Sequence, residues 1–131
     1  MISVSSNPAV ASIGSEEFIS RFQNINDVAD FFECKPVRHL KVGKDKLSFI
    51  LKRVAQFEFI LSKNIGKTWV QFNSSPGMIF KSAIRFDFNS DTNEIIIHFE
   101  TDTNVFMEMF LEKRIAKLLE HMTHNINNRF I

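Results

Sequence analysis

The chain has 131 residues, of which 44% are apolar and 24% are charged, a composition typical of a globular domain rather than of a disordered chain. Its 16 basic and 15 acidic side chains are scattered and leave a net charge of +1. Phosphate binding needs a concentrated basic surface, so this balance argues against nucleic acid as a main partner. We predict one domain over residues 1–131.

Cysteine content and the N-terminal sequence bear on the cellular compartment. Cys34 is the only cysteine, so no internal disulfide can form. The N-terminus lacks a basic segment followed by an apolar run, and no stretch approaches the ~18 apolar residues of a membrane span. We predict a cytoplasmic protein with no signal peptide and no membrane-spanning segment.

The first third of the chain predicts one strand and two short helices. Residues 1–13 alternate weakly and contain Pro8, which favours an edge strand because proline cannot donate to a sheet ladder. Ser15 precedes two glutamates, as at a capped helix start. A second short helix is predicted to begin at Asn26 and to end near Cys34.

From residue 37 to residue 102 the apolar residues recur with a period of two, which predicts strands. We predict six strands in this region, and turn residues at 43–45, 64–66, 76–77 and 89–93 mark four of the five connections between them. Short connections require antiparallel pairing, and the consistently apolar face predicts a half-buried sheet. With the N-terminal strand, the sheet has seven strands.

A long helix is predicted at the C-terminus, with Asn104 as its cap and its end near residue 127. At about 1.5 Å per residue it is about 36 Å long, enough to cross a domain. One face carries an apolar stripe that consists of Met107, Leu111, Ile115, Leu118, Leu119, Met122 and Ile126. The fold class is therefore α+β, with a seven-stranded antiparallel sheet gripping the long helix.

The first two turns of this helix are apolar nearly all round. Val105, Phe106, Met109 and Phe110 lie off the main stripe. Such residues either gate a cavity or pack under the two short helices, and we favour packing.

Aromatic composition is unusual, with fifteen Phe, one Trp and no Tyr. Phe needs no hydrogen-bond partner when buried, so this interior lacks polar aromatic groups. The predicted inward-facing residues either line a cavity for a hydrophobic ligand or fill a packed core. They are Phe49, Phe57, Phe59, Phe72, Phe80, Ile84, Phe86, Ile97 and Phe99 on the sheet, and Leu111, Ile115, Leu118 and Met122 on the helix.

The order of elements, together with three segments, resembles the START-like superfamily, also called the Bet v 1-like or polyketide-cyclase-like (SRPBCC) helix-grip fold. The segment 99–109, FETDTNVFMEM, is similar to the junction of last strand and long helix in small bacterial members of unknown function, and segments 36–49 and 76–88 are similar to their hairpins. The resemblance implies a helix-grip fold over nearly the whole chain. Members bind lipids, sterols, plant hormones or polyketides between sheet and helix, and some are cyclases or dehydratases.

Polar groups on the predicted inward face are Ser74, Ser82 and Thr101. They are candidates to orient a ligand hydroxyl or carbonyl, although bonding to nearby backbone is the commoner use of such hydroxyls. No inward-facing Asp, Glu, His or Lys is evident, and acid–base catalysis needs a titratable group near its substrate. We predict no catalytic residue, and the sequence leaves enzymatic activity uncertain while leaning against it.

No metal or cofactor site is predicted. His121 and His124 share one helix face beside Glu120, but a stable zinc site needs three or four ligands, and the iron-site pattern of the oxygenase branch of the superfamily is not found. Cys34 is interpreted as a half-buried structural residue, and His98 as a surface residue.

Several apolar side chains alternate out of phase with the inward set. A patch on the outer face of the sheet would consist of Ile50, Ile60, Trp69 and Ile96. This patch is either a surface for a partner or a homodimer, or a set of unrelated surface residues.

Our leading hypothesis is a non-enzymatic binding module for a small hydrophobic ligand held between sheet and helix. The alternatives are an interaction protein with a filled core that acts through its outer sheet face and, third, a cyclase or dehydratase.

Overall fold

The computed structural model describes residues 1–51, 55–61 and 66–130. Its elements, in chain order, are β1 (Ile2–Ser5), β2 (Ala9–Val10), α1 (Ser15–Phe22), α2 (Ile25–Phe31), β3 (Val37–Gly43), β4 (Lys46–Leu51), β5 (Ala55–Leu61), β6 (Trp69–Ser74), β7 (Ser82–Asn89), β8 (Glu94–Thr101) and α3 (Val105–Arg129). The α+β class with an antiparallel sheet and a long C-terminal helix is confirmed. Residues 64 and 65 of one predicted turn lie outside the described part of the chain.

The N-terminal segment forms two strands instead of one, so the described residues contain eight strands rather than seven. β1 and β2 both pair with β8, with Ser5 opposite His98 and Ala9 opposite Ile95. Between them the Ser6 hydroxyl accepts the Ile97 N–H at 2.9 Å, and Pro8 has no N–H to donate. The Ser6 N–H still donates to the Ile97 carbonyl at 2.8 Å, so a side chain replaces one of the two backbone hydrogen bonds at the point where the strand is interrupted.

The strands are hydrogen-bonded in the order β1-β8-β7-β6-β5-β4-β3, with every pair antiparallel. Phe72 pairs with Ile84, and Ile84 pairs with Phe99, so these three side chains lie on one face. All three are buried. The alternation in the sequence thus predicted the buried face of these central strands correctly.

Side chains cap two of the three helices. The Asn104 side chain accepts the Met107 N–H at 2.9 Å, which confirms the predicted start of α3. α2 begins at Ile25, one residue before the predicted start, because the Asn24 side chain accepts the N–H groups of Asn26 and Asp27. α1 begins at Ser15 as the first helical residue; its cap is Gly14, which offers no side chain.

α2 packs against the C-terminal half of α3 and α1 packs against α2, and we call this region the closed end. It is defined by five buried rings in mutual contact, with centroids 4.7–6.0 Å apart: Phe18, Phe22, Phe31, Phe88 and Phe130. The Asn125 amide donates to the Phe31 carbonyl at 3.0 Å, and Arg129 donates to Asp30 at 2.8 Å. Aromatic packing and polar links together fasten α3 to α2.

Candidate functional site

Twelve of the thirteen residues predicted to line the interior are buried, with Phe80 as the exception. Whether they contact a ligand stays a prediction. Further buried residues, omitted from that set, follow the same alternation and could have been found by it: Leu47, Leu51, Val70, Phe88 and Ile95.

Phe80 does not lie in a strand, and its predicted inward position is wrong. β7 begins at Ser82, so Phe80 belongs to the loop between β6 and β7 and is 42% exposed. The loop turns at Gly77, whose φ of 95° is readily adopted by glycine. It rejoins the fold where the Lys81 carbonyl accepts the Asp102 N–H at 2.9 Å.

Phenylalanine rings fill the interior between the strands. Strands β5 and β8 are separated by two other strands, which in a flat sheet would put them about 14 Å apart. Yet the rings of Phe57 and Phe99 have centroids 5.2 Å apart, and those of Phe59 and Phe99 lie 5.8 Å apart. The sheet is therefore strongly curved, and edge-to-face aromatic contacts join its opposite sides.

Three hydroxyls predicted to face inward form one cluster. Ser82 Oγ and Thr101 Oγ1 lie 2.7 Å apart, and the Ser82 N–H donates to Ser74 Oγ at 3.1 Å. The Thr101 hydroxyl also donates to the Asp102 carbonyl at 3.1 Å. Apart from the contact between Ser82 and Thr101, these hydroxyls bond to nearby backbone groups, and together they fasten the ends of β6, β7 and β8.

Ser75, which directly follows β6, was not identified by sequence reasoning. It is 5% exposed, and its hydroxyl has no hydrogen-bond partner among the described residues. Its backbone is fully used, since its N–H donates to the Glu58 carbonyl at 2.9 Å and its carbonyl accepts the Met78 N–H at 3.3 Å. No periodic signal singles out a serine in a loop, so only the fold reveals this unpaired group.

Opposite the closed end, the fold leaves a group of large apolar side chains uncovered, and we call this group the open end. The Asp102–Lys81 hydrogen bond brings the β6–β7 loop beside the start of α3. Phe106 is 96% exposed and Ile79 is 90% exposed. The open end consists of Ile79, Phe80, Val105, Phe106, Met109 and Phe110, all exposed.

The favoured prediction that the first turns of α3 pack under the short helices is therefore wrong. α2 contacts the far half of α3, α1 contacts Phe130 just beyond it, and Leu111 is the first buried residue of that helix. The sequence carried the signal, since Val105, Phe106, Met109 and Phe110 lie off the apolar stripe.

The outer face of the sheet is covered in part by polar groups. The Arg85 guanidinium lies 4.0 Å from the centre of the Trp69 ring and donates to the Gln71 side chain at 3.2 Å. A Cβ atom at Gly66 would overlap the Trp69 indole, so this ring is enclosed from a second side. Trp69 is only half-buried but is held in place, and the outer patch is less apolar than its residue types indicate.

Titratable groups lie away from the interior in the described part of the chain. His98 is half-buried on the outer face, where its ring nitrogens contact the Ser5 hydroxyl at 2.8 Å and the Asp87 carboxylate at 2.9 Å. Among the described residues the buried polar side chains are Ser75, Ser82 and Thr101, and no group of three His, Cys, Asp or Glu is arranged to hold a metal ion. Nothing in this set titrates near neutral pH.

Cys34 is half-buried after α2, and burial raises the pKa of its thiol to about 11, with a hydrogen bond from the Val37 backbone opposing the rise. Its thiol lies 3.5 Å from the Phe32 carbonyl. A thiol with this pKa is protonated at neutral pH and is a poor nucleophile.

Solved structures with this fold match nearly the whole chain. TTHA0849 from Thermus thermophilus is 10% identical, with a TM-score of 0.68 over 98% of this chain and 97% of its own. DR_A0006 from Deinococcus radiodurans is 9% identical, with a TM-score of 0.58 over 98% and 99%. The Aha1 dimer from Colwellia psychrerythraea is 16% identical, with a TM-score of 0.51 over 91% of each chain.

No protein-family model and no curated protein matches the sequence. No helix in the described ranges is long and apolar enough to cross a membrane. At these identities the structural neighbours show that the chain shares its fold with proteins from diverse bacteria, with an antiparallel sheet and a long C-terminal helix as common elements.

Proposed function

We propose that the protein is a non-enzymatic binding module of the START-like type, which takes a small hydrophobic ligand where the sheet meets the start of α3. The observation that carries this proposal is the open end, whose six large apolar side chains are exposed together. The Asp102–Lys81 hydrogen bond brings together the two segments that carry these side chains, and clustered apolar surface marks binding sites in soluble proteins. A ligand that covers it gains about 25 cal/mol for each Å² of apolar surface buried, before the costs of binding.

The ligand binds at the mouth of the grip rather than deep inside it. Contacts between rings such as Phe57 and Phe99 already fill the space between the curved strands. A ligand in that space would have to displace buried rings, whereas one at the open end covers side chains that are already exposed. Phe106 and Phe110 on α3 and Phe80 on the loop supply aromatic surface for it.

A binding role is favoured over catalysis by the absence of suitable groups. The buried polar side chains of the described residues are hydroxyls of Ser and Thr, which need an adjacent base to act as nucleophiles. No such base contacts Ser75, Ser82 or Thr101 in the described part of the chain. The START-like resemblance also supports a ligand-binding role.

The test combines native mass spectrometry of gently purified protein with a binding screen of fatty acids and aromatic compounds. We expect at least one hydrophobic ligand to bind, and the double variant Phe106→Ser/Phe110→Ser to bind it at least tenfold more weakly. The matched control is Val42→Ser, which alters an apolar side chain on β3 that is also exposed. If wild-type protein carries no ligand and binds none from the screen, the proposal is wrong.

A second candidate is an interaction protein with a filled core, which the ring contacts across the curved sheet favour. The occupant of the open end is then a second copy of this chain. The Colwellia neighbour is described as a dimer. Sedimentation of the wild type, Phe106→Ser and Trp69→Glu separates the possibilities. A dimer that is lost only in Phe106→Ser points to the open end, and a dimer that is lost only in Trp69→Glu points to the outer sheet face. If all three proteins are monomers, this candidate is rejected.

A further inference from the structure

Basic side chains are concentrated at the edge strand β3, although charged residues are scattered along most of the chain. Residues 35–46 contain five basic side chains and one acidic side chain, a net charge of +4. The rest of the chain then holds 11 of the 16 basic and 14 of the 15 acidic side chains, a net charge of −3. All five cations are exposed and form no ion pair in the described part of the chain; they are Lys35, Arg38, Lys41, Lys44 and Lys46.

A β-bulge brings two of these cations to the same face of the sheet. The register of β3 against β4 shifts between Arg38 and Lys41, and His39 within the bulge has a φ of 52°. Residues three apart on a regular strand point to opposite faces. Here the partners of the two cations on β4 are Ile50 and Ser48, which alternate with the buried residues of that strand. Both cations therefore lie on the outer face.

The cations on this face recur at the spacing of an extended peptide. Lys46 lies on β4 itself, and Lys41 lies beside Ser48, two residues further along β4. Arg38 lies beside Ile50, after another two residues. Two residues of a strand span about 7 Å, and side chains on one face of any extended peptide have the same separation. Carboxylates at alternate positions of such a peptide therefore match this row of cations.

β3 also has an edge to which a strand can be added. In the described part of the chain β3 has a neighbouring strand, β4, on one side only. Lysines and bulges on edge strands commonly protect a protein against pairing with its own copies. That protection does not require charges of one sign. Because Arg38 and Lys41 are the only fully charged residues of β3, its edge repels a second copy and attracts a strand that carries carboxylates.

We propose that the β3 edge binds an extended acidic segment of a partner protein, which adds to the sheet as a further strand. The main chain of this segment bonds to the outward N–H and C=O groups of β3, and its alternate carboxylates pair with the row of cations. Nucleic acid also offers regularly spaced anions, but single strands bind through aromatic side chains on which bases stack. The outer face beside the cations presents Ile50 and Ile60 instead. The site shares no residue with the open end, so it is independent of the proposed function.

The experiment measures fluorescence anisotropy of a labelled seven-residue peptide in which four glutamates alternate with threonines. We expect it to bind the wild type and to bind Arg38→Glu/Lys41→Glu at least about tenfold more weakly, because attractive charge pairs become repulsive. The matched control Lys113→Glu/Lys117→Glu changes the net charge by the same amount at exposed positions on α3 and should bind nearly as tightly as the wild type. Circular dichroism should show that both variants are folded.

A second peptide tests the spacing and the mode of binding. It contains the same residues with the four glutamates in a row, and we expect it to bind at least about fivefold more weakly, since its carboxylates lie on both faces of a strand. With the alternating peptide bound, the β3 amides that point away from β4 should exchange their hydrogens more slowly. The milder variant Arg38→Gln/Lys41→Gln should also weaken binding, which keeps the test decisive if charge reversal disturbs the fold.

Three results would overturn the proposal. The first is that the alternating peptide does not bind, and the second is that both charge-reversed variants lose binding equally. The third is tighter binding of a thymidine oligonucleotide or of phosphatidylglycerol vesicles than of the peptide, since the partner would then be a nucleic acid or a membrane surface. Slower exchange in β3 with the alternating peptide, but not with the clustered one, supports strand addition.

Discussion

The two halves of α3 carry similar apolar residues but differ in what covers them. In the C-terminal half, Met122 and Ile126 are buried in the same hydrophobic core as the rings of the closed end. In the first two turns, Phe106 and Met109 have no covering element in the described part of the chain. One helix thus supports the core at one end and presents an apolar surface at the other. We infer that stability depends mainly on the closed end and ligand binding on the open end.

The largest expected change in the free energy of unfolding comes from substituting a buried aromatic residue at the closed end. Phe22 is fully buried and its ring lies 4.7 Å from Phe18, 5.1 Å from Phe86 and 5.3 Å from Phe31. Phe22→Ala removes these contacts and leaves a cavity, so it should lower the free energy of unfolding by about 3–5 kcal/mol. Urea denaturation followed by circular dichroism measures the change.

The matched variant at the open end is Phe106→Ala. Its ring makes almost no contact within the fold, so the free energy of unfolding should change by no more than about 0.5 kcal/mol. Equal destabilisation by the two variants would contradict the division between the ends, because it would mean that Phe106 packs in the folded protein.

A smaller effect is expected at the helix caps. Asn104→Ala removes the side chain that accepts the Met107 N–H, and Asn24→Ala removes the one that accepts the N–H groups of Asn26 and Asp27. Each should cost about 1 kcal/mol of stability. Because the first turn of α3 lies at the open end, we expect Asn104→Ala to act mostly by local fraying.

Native-state hydrogen exchange distinguishes local from global effects. In Asn104→Ala the amides of residues 107–110 should lose protection while those of residues 118–126 change little. Asn24→Ala should instead reduce protection across the closed end, where α2 packs against α3. Loss of protection along the whole of α3 in Asn104→Ala would show that the open end is not independent of the core.

Sequence reasoning succeeded where a periodic pattern meets a single buried face. Phe72, Ile84 and Phe99 alternate with polar residues on strands that pair in register, so their inward position followed from the pattern alone. It failed for Phe80, because alternation continues into a loop where nothing in the residues marks the start of β7. It also failed for Phe106, since an apolar side chain predicts burial only if another element reaches it. That α2 contacts Asn125 rather than the first turns of α3 depends on tertiary packing.

The smallest expected effect concerns the thiol at the closed end. Burial raises the pKa of Cys34 to about 11, against an ordinary value of 9.0. Between these pH values the unfolded chain loses the thiol proton and the folded chain keeps it, so the free energy of unfolding should fall as the pH rises through this range. Comparing urea denaturation of the wild type with that of Cys34→Ala at pH 8 and pH 10.5 isolates this contribution from other groups.

We also expect alkylation of Cys34 by iodoacetamide to be slow at pH 8 and to accelerate up to about pH 11, whereas the urea-unfolded chain should react rapidly above about pH 9. Rapid alkylation of the folded protein at pH 8 would show that Cys34 is accessible, and that the closed end is less tightly packed around α2 than its aromatic contacts indicate.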